Sequence, residues 1–338
     1  MTLKARNKIT PQMADYDRLG AQWVPYLMRF VNPLRSFASV STDEWGFRDT
    51  VGRGGEIVNV TTMCQSLSSS SIGVIIGSSA AFGIGSTHNR FTIASVLNRC
   101  TENVWLNFGG RAFNSTQELI LFLLHLPQKV DRLVLFSGVN NITLAFLSSN
   151  SSPVYNSGFF QSMFAQALAN QADENKGLLR NFSHFISKVC RRLWPEHCQP
   201  AATTQTLDEA YRNILHCFSR DLRAFKTIAN GLNVPLYFAL QPLATWLNKP
   251  LAPQEKEIFS ILNSISMDWQ RITPKILEVR DTYFADMERI CRELSVHYCN
   301  MNLAPEFLTE EWLFVDRVHL TDRGYEIAAN ILKKEFSL

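Results

Sequence analysis

Short apolar runs that end at a glycine recur along this chain, and they constrain its fold more than any other feature. Three of them occupy residues 72–76 before Gly77, 104–106 before Gly109, and 133–136 before Gly138. Runs of this length without polar alternation are typical of strands that are buried on both faces of a parallel sheet. Segments with helical spacing separate them, so the pattern predicts a sheet with helices on both sides.

The same alternation continues in the second half of the chain. Further strands are predicted at residues 235–240 and 296–301. Helices are predicted over residues 91–97 and over about 322–336. Capping boxes open two more: Ser115 with Glu118 for a helix through 124, and Thr206 with Glu209 for a helix through about 229. A further helical stretch begins at about 253, with a break or kink predicted at Pro274. These elements predict a three-layer α/β/α sandwich around a central, mostly parallel sheet of five strands.

With 338 residues the chain can bury a large core, and we expect a single domain over residues 1–338. Two regions lie outside the alternation. Residues 1–68, which include Trp45 and Arg48, are interpreted as an N-terminal extension packed on the core. Residues 147–205 are interpreted as an insert, for which a lid over the site is one hypothesis.

Composition narrows the classes of partner. The net charge of +3 is too small to indicate a nucleic-acid-binding protein. No apolar run reaches the roughly 18 residues that span a bilayer. The first 20 residues are polar and lack the apolar core of a signal peptide, so the cytoplasm is the expected compartment.

The seven cysteines give no sign of a metal site or of a disulfide framework. Two groups of metal-ligating residue types lie close in sequence: Cys190, His197 and Cys198, and then Cys291, His297 and Cys299. Neither has the paired C-x-x-C spacing of a zinc site, so buried thiols are the preferred interpretation. We expect no metal and no organic cofactor.

Four short blocks stand at the ends of predicted strands or just before the last helix. They occupy residues 77–83 (GSSAAFG), 107–112 (NFGGRA), 138–141 (GVNN) and 316–321 (DRVHLT). The carboxyl ends of parallel strands meet at one edge of a sheet, so we expect these blocks to converge. Together they supply a hydroxyl, an amide, an imidazole and a carboxylate, which are the groups required to transfer an acyl group.

In this order the four blocks resemble those of the SGNH (GDSL-type) hydrolase superfamily. That family carries G-D-S-x-x-x-G, a block of N-x-G-x-x-G character, G-x-N-D and D-x-x-H. The resemblance covers about residues 70–145 and 230–335 and leaves the extension and the insert outside. It implies an SGNH/flavodoxin-like sandwich and a serine hydrolase that needs no cofactor.

The resemblance also implies roles for single residues. Ser79 would be the nucleophile, His319 the base that later acts as acid, and Asp316 the group that orients the imidazole. The oxyanion would be held by the Ser79 N–H group, by a backbone N–H group of the second block and by the Asn140 side chain. For the second donor we favour Ala112, with Gly109 as the second choice.

Three positions depart from the family pattern. Ser78 replaces an Asp, Ala112 replaces a Gly, and Asn141 replaces an Asp. An N–H group at Ala112 can serve if its φ stays negative. Ser78 is an alternative nucleophile, although the four-residue step from Ser79 to Gly83 favours Ser79.

The expected function is that of a serine esterase or acyl hydrolase acting on a small-molecule, glycan or lipid ester through an acyl-enzyme. Two alternatives stay open: an acyltransferase that uses the same residues beneath an apolar lid, and a catalytically inactive binding protein. For Trp45, Arg48, Gln241 and Lys249 we expect structural packing or solvent exposure rather than a ligand role. Acyl specificity and oligomeric state stay open.

Overall fold

A five-stranded parallel sheet forms the centre of the computed structural model, which describes residues 3–65, 71–148, 151–152, 154, 156–157 and 205–338. Its strands are β1 (Ile72–Gly77), β2 (Val104–Gly109), β3 (Arg132–Ser137), β4 (Leu236–Leu240) and β5 (His297–Asn300). Their order in the sheet is β5-β4-β3-β1-β2, and every pairing is parallel. The predicted fold class is confirmed.

Twelve helices accompany the sheet within the described ranges. They are α1 (Leu3–Ile9), α2 (Met13–Arg18), α3 (Val60–Gln65), α4 (Ser79–Phe82), α5 (Ile93–Cys100), α6 (Ser115–Leu124), α7 (Val139–Ser148), α8 (Leu207–Leu232), α9 (Pro253–Ile265), α10 (Asp268–Glu278), α11 (Arg280–Glu293) and α12 (Asp322–Glu335). Short strands also pair Ala21–Gln22 with Phe30–Val31, Thr50–Val51 with Ile57–Val58, and Ser151–Ser152 with Asn156–Ser157.

The helices cover both faces of the sheet, which makes three layers. Val74 and Ile76 of β1 enter a core cluster with residues of α6, α8 and α11. Ile75, which points to the other face, enters a second cluster with residues of α5, α9 and α12. This alternation follows from the two-residue period of a strand.

The N-terminal extension has its own small core, and that core reaches the central domain. Met13 and Tyr16 of α2 pack with Phe82 and Ile84, which follow β1, and with Val315 near the C-terminus. The extension therefore contacts the segments that carry the first and the fourth block.

Two local predictions are wrong in detail. The capping box of α6 is formed by Asn114 and Gln117, one residue earlier than Ser115 and Glu118. Pro274 does not break a helix: α10 continues through it, and the breaks fall before Asp268 and at Val279. Pro274 lies on the exposed side, where the carbonyl that loses its partner is open to water. The Thr206–Glu209 capping box is confirmed.

Most of the predicted lid, residues 147–205, lies outside the described residues. Among the helices that are described, none combines the length and the apolar character needed to cross a bilayer.

Glu118 is buried in α6, and both of its carboxyl oxygens lie 2.7 Å from the Ser137 hydroxyl at the end of β3. Burial, with Asp221 nearby, raises the pKa of Glu118 from 4.5 to about 8. Between these two pH values the folded chain keeps a proton that the unfolded chain has released. The contribution of Glu118 therefore makes the free energy of unfolding fall as the pH rises through this window.

We predict that Glu118→Gln flattens the dependence of stability on pH between about pH 5 and about pH 8, because an amide has no proton to lose there. Urea unfolding at several pH values measures it. The exposed Glu278→Gln on α10 is the control and should keep the wild-type slope. An unchanged slope in Glu118→Gln would contradict the assignment.

Candidate active site

The strand register brings the first three blocks to one edge of the sheet. Gly77, the last residue of β1, pairs with Gly109 of β2 and with Phe136 of β3. Ser137, the last residue of β3, pairs with Leu240 of β4. The loops that follow these strands therefore begin side by side.

The turn after β1 presents Ser79 at the start of a very short helix. Ser79 is the first residue of α4, so its N–H group has no acceptor within that helix. Gly83 ends the helix with a φ of +90°, a conformation that favours glycine. A Cβ atom on Gly77 would lie 2.1 Å from the carbonyl oxygen of Phe136, so this strand end also requires glycine.

Ser79, His319 and Asp316 are joined by hydrogen bonds. His319 Nε2 lies 2.8 Å from Ser79 Oγ, and His319 Nδ1 lies 2.7 Å from Asp316 Oδ2. An ionised carboxylate can only accept, so Nδ1 carries the proton and Nε2 is left to accept from the Ser79 hydroxyl. The His319 and Asp316 side chains are 18% and 22% exposed, so the group borders solvent.

The electrostatics of Asp316 favour its charged form. Burial alone would raise the pKa of Asp316, but the adjacent His319 imidazole and the N–H groups of Val318 and His319 bring that pKa below its ordinary value. Both N–H groups donate to Asp316 Oδ1 over 2.8 Å. A charged Asp316 can therefore orient the imidazole and stabilise its protonated form.

A buried ion pair holds the loop that carries Asp316 and His319. Glu255 Oε1 accepts hydrogen bonds from the N–H groups of Leu313 at 3.0 Å and Phe314 at 3.1 Å. Its Oε2 atom binds Lys249 Nζ at 2.6 Å, and both side chains are at most 1% exposed. Glu255 was missed by the sequence analysis, because its acceptor role depends on residues nearly 60 positions away.

Arg48 of the N-terminal extension holds the end of α4, the short helix that begins at Ser79. Its guanidinium is completely buried and donates to the carbonyl oxygens of Phe82 at 3.2 Å, Gly83 at 2.6 Å and Ser39 at 2.7 Å. It also donates to the Tyr16 hydroxyl at 2.9 Å. Arg48 therefore anchors the C-terminal end of α4 to the extension, directly behind Ser79.

Asn140 joins the third block to the second. Its Nδ2 atom donates to the carbonyl oxygen of Phe113 at 2.9 Å, and the residue is buried. A primary amide has a second N–H bond, which this contact does not use.

The second block differs from expectation at Ala112. Its φ is +59°, in the left-handed region, so the expectation of a negative φ is wrong. This conformation costs a residue with a Cβ atom about 1–2 kcal/mol and suits glycine better. The Ala112 N–H group has no hydrogen-bond acceptor in the part of the chain that the structure describes. The Gly109 N–H group, in contrast, donates to Asn107 Oδ1 at 2.9 Å.

The two remaining departures, Ser78 and Asn141, differ in their contacts. Ser78 is completely buried, and its hydroxyl has no partner among the described residues, whereas His319 contacts Ser79. Asn141 accepts from the N–H group of Ser115 at 2.9 Å and donates to its hydroxyl at 3.0 Å. Asp221 of α8, which the sequence analysis missed, accepts from the same hydroxyl at 2.7 Å.

Of the other candidates, Trp45 packs its ring 4.9 Å from that of His125 and touches the core on that side of the sheet. Gln241 follows β4 and is completely buried, and neither polar atom of its amide has a partner within the described ranges. Its backbone N–H group donates to the carbonyl oxygen of Ser137 at 3.1 Å.

The described residues contain no cluster of three potential metal ligands. Burial raises the pKa values of Cys291 and Cys299 to about 12, which keeps these thiols protonated. The other sequence group, Cys190, His197 and Cys198, lies outside the described residues.

Comparison with known proteins gives no match to a family model and none to a curated protein. Among solved structures, the chain is similar to a GDSL-like lipase from Bacteroides thetaiotaomicron VPI-5482, with 12% identity, 82% of this chain and 95% of that chain covered, and a TM-score of 0.42. The chain is also similar to a variant of an acetyl-xylooligosaccharide esterase from Geobacillus, with 13% identity, 80% of this chain and 95% of that chain covered, and a TM-score of 0.41. For an acetyl xylan esterase the identity is 12%, 78% of this chain and 98% of that chain are covered, and the TM-score is 0.37.

Each of these three structures is named a lipase or an esterase. At TM-scores below 0.5 they establish neither fold nor function, so both rest on the residues of this chain.

We predict that Ala112→Gly raises the free energy of unfolding by up to about 1 kcal/mol, since it relieves the left-handed conformation at that position. Urea unfolding measures the change. Ala285→Gly on the exposed side of α11 is the matched control and should lower stability by about 0.5–1 kcal/mol. If both variants lose stability equally, the backbone at Ala112 does not have the conformation described.

Proposed function

We propose that this chain is a serine hydrolase of the SGNH type that cleaves a carboxylic ester through an acyl-enzyme. The observation that carries the proposal is the hydrogen-bonded series Ser79–His319–Asp316, whose first two members are 240 residues apart in sequence. A hydroxyl, an imidazole and a carboxylate in this order form the arrangement that activates a serine for attack on a carbonyl.

The proposed reaction has two halves. Ser79 Oγ attacks the ester carbonyl while His319 Nε2 takes its proton, and the imidazolium then protonates the alcohol as the carbon–oxygen bond breaks. Water next attacks the acyl-enzyme: His319 removes a proton from it and returns that proton to Ser79 as the acid is released. Asp316 stays ionised and supports the imidazolium in both halves.

The oxyanion is assigned to donors from three blocks. The Ser79 N–H group is left without an intrahelical partner by its position at the start of α4. The free N–H of the Asn140 amide and the N–H of Ala112 complete the set, and the Asn140–Phe113 hydrogen bond ties these two segments together. We propose Ala112 rather than Gly109, because the Gly109 N–H group is already bonded to Asn107. The condition of a negative φ is not met at Ala112, but its N–H group has no acceptor among the described residues and so is left for the oxyanion.

The substrate class follows from the chemistry and stays broad: an ester of a small molecule, a glycan or a lipid. An acyltransferase would use the same residues, with an alcohol or amine in place of water. Product analysis at saturating acceptor separates the two, since a transferase yields the acylated acceptor and a hydrolase yields the free acid.

We predict that a fluorophosphonate probe labels the wild-type chain at Ser79. In Ser79→Ala labelling should disappear, and kcat/KM for an aryl acetate should fall by about a thousandfold or more, because no hydroxyl is left for His319 to activate. Ser78→Ala is the matched control and should remain labelled. Peptide mapping that finds the label on Ser78, or no label on a folded wild-type chain, would refute the proposal.

We predict that Asn140→Ala lowers kcat by about a hundredfold to a thousandfold and changes KM little, since its amide is assigned to the transition state. Steady-state kinetics with a neutral aryl acetate measures both constants. The variant also loses its hydrogen bond to Phe113, which should lower the free energy of unfolding by about 1 kcal/mol. A kcat within threefold of wild type in a folded variant would remove Asn140 from the oxyanion site.

A further inference from the structure

Arg111 lies in the second block, immediately before Ala112, on the loop between β2 and α6. Consecutive Cα atoms are about 3.8 Å apart, so the backbone of Arg111 adjoins the proposed oxyanion donor. Phe113, two residues further on, accepts the hydrogen bond from Asn140 at 2.9 Å. The Arg111 side chain therefore leaves the backbone next to the residue assigned to the oxyanion.

The Arg111 guanidinium is half-buried and is held at one point. Its Nη1 atom donates to the carbonyl oxygen of Tyr16 at 3.2 Å. No ion pair links Arg111 to a carboxylate in the described ranges, where surface arginines such as Arg53 and Arg289 do have such partners. Removing a guanidinium from water without a counter-charge is unfavourable, so the protein alone leaves this cation incompletely compensated.

The charges around Arg111 make the region more positive. Burial and the neighbouring Arg29 guanidinium lower the pKa of Arg111 to about 10. The Asp17 carboxylate raises the pKa of Arg111, but it is already ion-paired with Arg6. The carboxylate that acts on Arg111 therefore already has a cation as its partner.

We infer that Arg111 binds an anionic group of the substrate, a carboxylate or a phosphate carried by the ester, and that the site therefore prefers anionic esters to neutral ones. The planar guanidinium can donate two parallel hydrogen bonds to either group. The inference rests on the proposed function and deepens it by assigning a substrate class.

Matched pairs of esters test the inference. For charge on the acyl side, the mono-4-nitrophenyl ester of succinic acid is compared with 4-nitrophenyl butyrate. For charge on the alcohol side, 4-carboxyphenyl acetate and 4-acetoxyphenyl phosphate are compared with the neutral 4-carbamoylphenyl acetate. The pairs locate the anion on one side of the ester and distinguish a carboxylate from a phosphate.

In the wild-type chain kcat/KM should be at least about tenfold higher for the anionic member of one pair, which is the effect of a hydrogen bond to a charged group. Arg111→Ala should remove that preference, so that kcat/KM falls at least about tenfold more for the anionic ester than for the neutral one. Arg111→Lys should retain part of the preference, since it keeps the charge and loses the planar geometry. Arg212→Ala, on the exposed side of α8, is the control for net charge and should keep the full preference.

Two results would overturn the inference: a wild-type chain with no preference in any pair, or an equal loss for anionic and neutral esters in Arg111→Ala. If neutral acetates are hydrolysed in a Ser79-dependent manner while no preference appears, the proposed function stands and only the inference fails. If no ester is hydrolysed and Ser79 is not labelled, both proposals fail together.

Discussion

The parallel register of the central sheet is the constraint on which the site depends. Because Gly77, Gly109 and Ser137 end neighbouring strands at nearly one level, the loops after them begin side by side. A hydroxyl and an imidazole that are far apart in sequence can then meet without a long connection over the surface. His319 comes to Ser79 on the loop before α12, and α12 packs in the same core cluster as Ala80 and Ala81 of α4.

The sheet fixes where these loops begin, and hydrogen bonds from buried polar side chains fix the path of the loop backbone. Arg48 holds the end of α4, and Glu255 holds the segment before Asp316 through two backbone N–H groups. Asp221 holds the start of α6 through the Ser115 hydroxyl. Each charged group is removed from water, so losing one partner would leave the other uncompensated. Such contacts keep the geometry of the proposed catalytic site fixed before a substrate arrives, which electrostatic stabilisation of a transition state requires.

Local patterns in the sequence were sufficient to predict the strands, most helices and the places where the blocks lie. An apolar run followed by glycine identifies a buried strand and its end, since both properties act over a few residues. The φ of Ala112 was not predictable in this way, because a residue with a Cβ atom ordinarily has a negative φ. Structural packing was one expectation for Arg48, but its contacts with α4 were not predictable, because the acceptors there lie more than 30 positions away. The start of α6 was misplaced by one residue, since Asn114 with Gln117 and Ser115 with Glu118 are overlapping capping patterns.

The two carboxyl groups of Glu118 and Asp316 are in opposite electrostatic environments. Glu118 is buried against Ser137, and its pKa rises to about 8. Asp316 faces an imidazole and two N–H groups, and its pKa falls below the ordinary value. Near neutral pH the first carboxyl group is therefore largely protonated and the second is charged. The negative charge is placed beside His319, where it can stabilise a protonated imidazole.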